Sequence, residues 1–155
     1  MSVMADLVIH NGTVVSSDAA IPASVAIKDG AVLAIGAREA MPAAQETLDA
    51  AGLHVLPGAI DDHVHFRDPG YPHKEDFASG TAGAAFGGVT TVFDMPNTLP
   101  PTGTGKILAD KHAIAGAAAH VDFGLYGLLG EDTIAHVPDL VAGGVIGRAS
   151  CRERV

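Results

Sequence analysis

Pro57-Gly58-Ala59-Ile60-Asp61-Asp62-His63-Val64-His65-Phe66-Arg67 is the stretch on which the reading of this chain turns. Alternate side chains of an extended strand share a face, so Asp61, His63 and His65 point the same way. Two imidazoles at that spacing, at the C-terminal end of a strand, can chelate one divalent ion. The strand backbone fixes their separation before any metal arrives. Asp61, one step deeper, is placed to orient a ligand from behind. The plain alternative is two ordinary half-buried histidines, and a bare His-x-His does not decide between them. Its position does, because in a parallel α/β barrel the chemistry sits at the C-terminal ends of the strands.

The residues that follow set that position. Ala59 to His65 reads as a strand and Asp76 to Phe86 as a helix stopped by Gly87-Gly88. Val89 to Asp94, Lys106 to Ala119, Val121 to Leu128 and Thr133 to Ala142 continue the alternation, with Val145-Ile146 opening a fourth strand. Strands and helices in strict alternation with short connections imply βαβ units and a parallel sheet. Three and a half units are too few to close an eight-stranded barrel. Upstream the rhythm differs. Leu7-Val8-Ile9-His10 runs into Asn11-Gly12, a strong hairpin signal, before Thr13-Val14-Val15. Ser24 to Lys28 alternates, Asp29-Gly30 turns and Ala31 to Ile35 returns, so residues 6–56 read as a small antiparallel β module.

Other candidates surround the imidazoles. Arg67 lies just beyond the strand end, where its planar fork suits a carboxylate held in two places, or equally an ion pair with Asp68 or Glu75. Asn97, in Met95-Pro96-Asn97-Thr98 after the second strand, offers a donor and an acceptor to an amide substrate edge. Asn after Pro is also a common turn residue, and chemistry alone favours the turn. Asp94 carries the same ambiguity. His73 lies on the loop after the first strand and borders the site or is simply exposed; His10, His54, His112, His120 and His136 have no neighbours at ligand spacing. The Gly-rich run Pro100 to Lys106 lacks the spacing of a phosphate-binding loop.

Composition narrows the class. Nine Lys plus Arg against eighteen Asp plus Glu give a net charge of −9 over 155 residues, which speaks against nucleic acid and anionic membranes as partners. The single cysteine, Cys151, excludes an internal disulfide and points to a reducing compartment. Neither a signal peptide nor a membrane span is legible, so the cytoplasm is the expected location.

Taken together, Pro57-Gly58-x-Ile60-Asp61-x-His63-Val64-His65-Phe66-Arg67, His73-Lys74-Glu75-Asp76, Ser79-Gly80-Thr81, Gly87-Gly88-Val89-Thr90-Thr91 and Met95-Pro96-Asn97-Thr98 resemble the dihydroorotase branch of the amidohydrolase superfamily, across roughly residues 6 to 147. The resemblance implies an α/β fold: the first three to four units of a (β/α)8 TIM-like barrel over 57–147, preceded over 1–56 by part of a small β-sandwich. It implies that His63 and His65 bind the more buried of two zinc ions, that Asp61 supports them, and that Arg67 and Asn97 hold the carboxylate of dihydroorotate. The expected reaction is reversible ring opening of a cyclic amide by metal-activated water, which turns dihydroorotate into carbamoyl aspartate and runs in the ring-closing direction in pyrimidine synthesis, with an aspartate outside this chain as general base. Allantoinases and hydantoinases share the His-x-His, so a cyclic-ureide hydrolase is the alternative. A catalytically silent scaffold is a further one, disfavoured because both histidines are intact. Such relatives lead one to expect a homo-oligomer with a small-molecule substrate.

The pattern breaks after Gly147. The resemblance calls there for an apolar residue and then a lysine that bridges the metals, whereas this chain continues Arg148 to Val155. Those eight positions hold three of the nine basic residues and the only cysteine. Ile146 to Val155 also matches one reading frame of a widely used sequencing-library adapter, so residues 148–155 read as a non-native tail. The chain is accordingly expected to be an N-terminal piece, inactive by itself.

Overall fold

The computed structural model describes residues 3–149 and divides into two compact units between Pro57 and Gly58. The first is a five-stranded sheet of β1 (Ala5–Val15), β2 (Ala20–Lys28), β3 (Ala31–Gly36), β4 (Ala44–Asp49) and β5 (His54–Val55), in the order β3-β2-β1-β4, with β5 also on β1. β2 is antiparallel to β1 and β3, but β4 and β5 run parallel to β1, so the module is mixed rather than wholly antiparallel. The cause is the connection over residues 37–43, which carries the chain from one edge of the sheet to the far side of β1. Ala5, Val8 and Ala26 form the buried centre of this unit.

The expected hairpin at Asn11-Gly12 is absent; β1 runs straight through it. Pairing with β2 steps from Ile9↔Val25 to Gly12↔Ala23, so His10 and Asn11 on one strand oppose Ser24 alone on the other and make a β-bulge. Asn11, at φ 61°, supplies the left-handed residue. Gly12 is required because a Cβ there would stand 2.7 Å from Cγ2 of Val55. The same dipeptide chemistry that serves a turn thus serves a bulge, and β5 selects the bulge. Asp29-Gly30, by contrast, does form the two-residue turn between β2 and β3, with φ of 50° and 74°.

The second unit alternates β6 (Ala59–Val64), α1 (Phe77–Phe86), β7 (Val89–Asp94), α2 (Gly105–Ala118), β8 (Asp122–Leu128), a 3-10 turn (Ile134–His136), α3 (Val137–Ala142) and β9 (Gly147–Ala149). The four strands are parallel and neighbour one another in chain order, β6-β7-β8-β9, as in part of a (β/α)8 barrel. The fourth strand opens at Gly147 rather than at Val145-Ile146. Those two residues still attach to their neighbours, Val145 N–H on Leu140 O and Ile146 N–H on Leu125 O. Residues 150–155 of the expected tail lie outside the described residues, and Arg148 and Ala149 belong to β9.

Side-chain caps start both longer helices. Asp76 accepts the Ser79 N–H at 2.7 Å ahead of α1, and Thr104 accepts the Ile107 N–H at 3.3 Å ahead of α2. Phe77 from α1, Val92 from β7, Leu108 and Ala115 from α2, Leu125 from β8 and Leu140 from α3 pack with Phe66 into one core. Phe66 follows His65 directly, so this core begins where the paired imidazoles end. Among the described residues no helix is long and apolar enough to cross a membrane.

Candidate metal centre

His63 ends within β6 and His65 lies one residue past it. Their Nε2 atoms are 3.2 Å apart, with ring centroids at 5.1 Å. Two nitrogen lone pairs at that distance repel unless a proton or a cation lies between them. Two nitrogens bound to one tetrahedral ion at about 2.0–2.1 Å each would lie roughly 3.3 Å apart, so the rings are spaced as ligands of a common ion require. Asp61 is exposed, and its Oδ1 accepts the His63 N–H at 3.1 Å. It therefore steadies the backbone of one candidate ligand.

Asn97 comes to the same place from the loop after β7. Its Oδ1 stands 2.6 Å from Nδ1 of His65. An oxygen there accepts only from a protonated Nδ1, which leaves the lone pair of the neutral ring on Nε2, the atom facing His63. The loop is well anchored: Met95, Pro96 and Thr98 are buried, Thr102 N–H reaches Pro96 O at 3.0 Å, and Thr98 Oγ1 donates to Pro100 O at 2.9 Å. Asn97 is thus presented by a fixed backbone.

Beneath the imidazoles lies a pair that sequence reasoning did not assemble. Asp94 and Lys111 have no exposed side-chain surface, and Lys111 Nζ is 2.5 Å from Asp94 Oδ2. Lys111 also donates to Met95 O at 2.9 Å, and Asp94 Oδ1 accepts the Phe66 N–H at 2.9 Å. Burial pushes the Asp94 carboxyl up, against the pull of the Lys111 ammonium and the Phe66 N–H. A signal for Lys111 was present in the sequence. It falls between Leu108 and Ala115 at helical spacing, on the face of α2 that is buried.

Arg67 is half-buried two residues beyond His65, with φ 62°, a left-handed backbone uncommon for a side chain of its size. Its carbonyl accepts the Tyr71 N–H at 2.8 Å, which closes the loop behind it. Burial and the nearby Asp76 charge push the Asp68 carboxyl up. His73 stacks edge-on against Tyr71 at 6.4 Å. Among the described residues, no group of three or more His, Cys, Asp or Glu side chains is arranged to hold an ion. Among the described residues the site therefore offers two imidazoles at ligand spacing, half of what a closed four-coordinate shell needs.

Comparison with known proteins places the chain among cyclic-amide hydrolases by likeness. The chain is 44% identical over 143 residues to the allantoinase of Rubrobacter xylanophilus, covering 92% of this chain and 31% of that protein. It is 58% identical over 77 residues to the dihydroorotase of Halobacterium salinarum, covering 50% of this chain and 18% of that one. Among solved structures, the L-hydantoinase (dihydropyrimidinase) from Arthrobacter aurescens superposes with a TM-score of 0.88 at 36% identity, over 94% of this chain and 32% of its own. The chain spans about a third of the length of the curated relatives it matches over most of its own residues. The Dihydro-orotase-like family profile matches residues 52–129, from the approach to β6 through the end of β8, and this chain belongs to that family.

Proposed function

We propose that this chain supplies the first two metal ligands of a hydrolase that opens the C–N bond of a cyclic amide. The observation that carries this reading is the 3.2 Å approach of the two Nε2 atoms, with the His65 tautomer set by Asn97. His63 and His65 would hold a divalent ion, zinc by preference for imidazole nitrogen, and a complete protein would hold two. Such an ion polarises the ring carbonyl and lowers the pKa of water. This chain's own residues do the rest of what is assigned here. Asp61 steadies the His63 backbone, Asn97 aims the His65 lone pair, and Arg67 stands at the mouth as a fork for a carboxylate.

Two substrates follow from two observations. Arg67, held half-buried just past the ligands, suits a ring that bears a carboxylate, and with the 58% likeness to a dihydroorotase it favours dihydroorotate. Likeness to an allantoinase over 92% of the chain supports an uncharged cyclic ureide as the second reading. The full-length protein containing this chain, purified with its metal content measured, should be assayed on dihydroorotate, allantoin and hydantoin. Zinc in the active protein and loss of both zinc and turnover in His63→Ala/His65→Ala are the expected results. Full turnover in that variant, or an active protein without metal, would sink the proposal.

A further inference from the structure

We infer that the buried Asp94–Lys111 pair is a positioning device for His65, gripping the strand tip on both sides of that ligand. This rests on the metal reading above and adds to it a part that neither the His-x-His nor Asn97 supplies.

The geometry is a clamp around one residue. On one side of His65, Val64 O accepts the Met95 N–H at 2.9 Å. On the other, the Phe66 N–H is held by Asp94 Oδ1 at 2.9 Å. Asn97, two residues past Met95, takes the ring itself at Nδ1. Backbone before, backbone after and imidazole are thus all referred to four consecutive residues, 94–97. Lys111 is what fixes those four, since its Nζ bonds both Asp94 Oδ2 and Met95 O from α2. The register of β6 on β7 is irregular between Asp61 and Val64, so the ladder alone does not set where the tip lies. The side-chain clamp takes over where regular pairing fails.

Stability is a poor explanation for such a pair. Two charges without exposed surface lose their hydration, and an apolar pair of like volume often does as well or better. What an apolar pair lacks is the acceptor for Phe66 and the donor for Met95. Asp94 and Lys111 touch no reacting group in this arrangement, and their effect passes through His65.

Two double variants of the full-length protein separate geometry from charge. Asp94→Asn/Lys111→Met removes both charges and keeps an oxygen for the Phe66 N–H; Asp94→Ala/Lys111→Met removes the oxygen as well. Zinc affinity is read by competition with a chromogenic chelator, and thermal unfolding is followed in parallel on metal-free protein. We expect the Ala variant to bind zinc about 10- to 100-fold more weakly than wild type, the range seen when groups supporting a ligand are lost, and the Asn variant to lose less than that, since it keeps the acceptor for Phe66 but not the Lys111 donor to Met95 O. Equal affinities in the two variants would overturn the inference. If the Ala variant does not fold, Asp94→Glu provides the reading. It keeps the charge and displaces the carboxylate by one methylene, so it should weaken zinc binding about tenfold, and unchanged affinity would overturn the inference. His63→Ala is the control that tells the two failures apart. Zinc binding unaffected by His63→Ala removes the metal reading itself, whereas binding lost there but untouched by every Asp94 change removes only the clamp.

Discussion

The tasks proposed for Asn97 and Arg67 differ, one toward the His65 ring and the other toward the substrate, and substitution separates them. Asn97→Ala removes the acceptor on His65 Nδ1, freeing the ring to change tautomer and tilt. Its cost should fall on the ion, a loss of zinc affinity of about 10- to 100-fold with little change in melting temperature. Asn97→Asp, which keeps an oxygen in place, should hold affinity near wild type. Chelator competition on both variants decides this, and equal loss in the two would remove the tautomer argument. Arg67→Met reports on the substrate instead. A charge-assisted contact to a buried carboxylate contributes about 1.5–3 kcal/mol, so KM for dihydroorotate should rise roughly 10- to 100-fold. An uncharged ring such as hydantoin should be hydrolysed with nearly unchanged kcat/KM. A parallel loss on both rings would show that Arg67 is not reading a carboxylate.

At the scale of elements, α1 sits against Phe66, two residues past β6, closely enough to exclude a methyl group. A Cβ at Gly80 would stand 2.4 Å from the Phe66 ring, which is buried and packs edge-on with Phe77 at 5.3 Å. Gly→Ala within a helix ordinarily stabilises by up to about 1 kcal/mol. Here overpacking reverses the sign, and Gly80→Ala should destabilise by about 1–3 kcal/mol in urea unfolding. The cap of α1 gives a pH signature. The Ser79 hydroxyl and amide hold the Asp76 carboxyl below its ordinary range. A lowered native value means the contribution is present at neutral pH and is lost as pH falls through it. Asn caps as well as Asp without titrating, so wild type should lose melting temperature relative to Asp76→Asn between about pH 6 and about pH 3. Parallel curves would show that the cap charge does no work. These elements were largely legible beforehand, because the alternation of strand and helix patterns and the Gly87-Gly88 stop are local signals, whereas the Asp76 and Thr104 caps emerged from the structure. Asn11-Gly12 was misleading because turn and bulge use the same left-handed backbone, and only the approach of Val55 decides between them. The Asp94–Lys111 pair joins a strand end to a helix face, and a lysine in a helix passes for a solvated residue until the topology buries it.

For the molecule as a whole, apolar surface left outside both cores dominates its expected behaviour. Phe86 at 96% exposure and Ile60 at 65% project from the parallel unit, while Val32 at 62% and Ile35 and Leu48 at 53% do so from the mixed sheet. Such side chains beside unpaired strand edges favour association. The 155-residue polypeptide produced alone should therefore elute from a sizing column as oligomer or aggregate, and a sharp monomer peak stable over days would contradict this. The strand order carries one more consequence. In β6-β7-β8-β9 each new strand docks on its immediate predecessor, and the contacts that hold His65 fall between His63 and Lys111. Synthesis proceeds from the N-terminus, and contacts close in sequence form with little loop entropy to overcome. These contacts thus need nothing beyond α2, and a nascent chain can form them without waiting for β9 to pair.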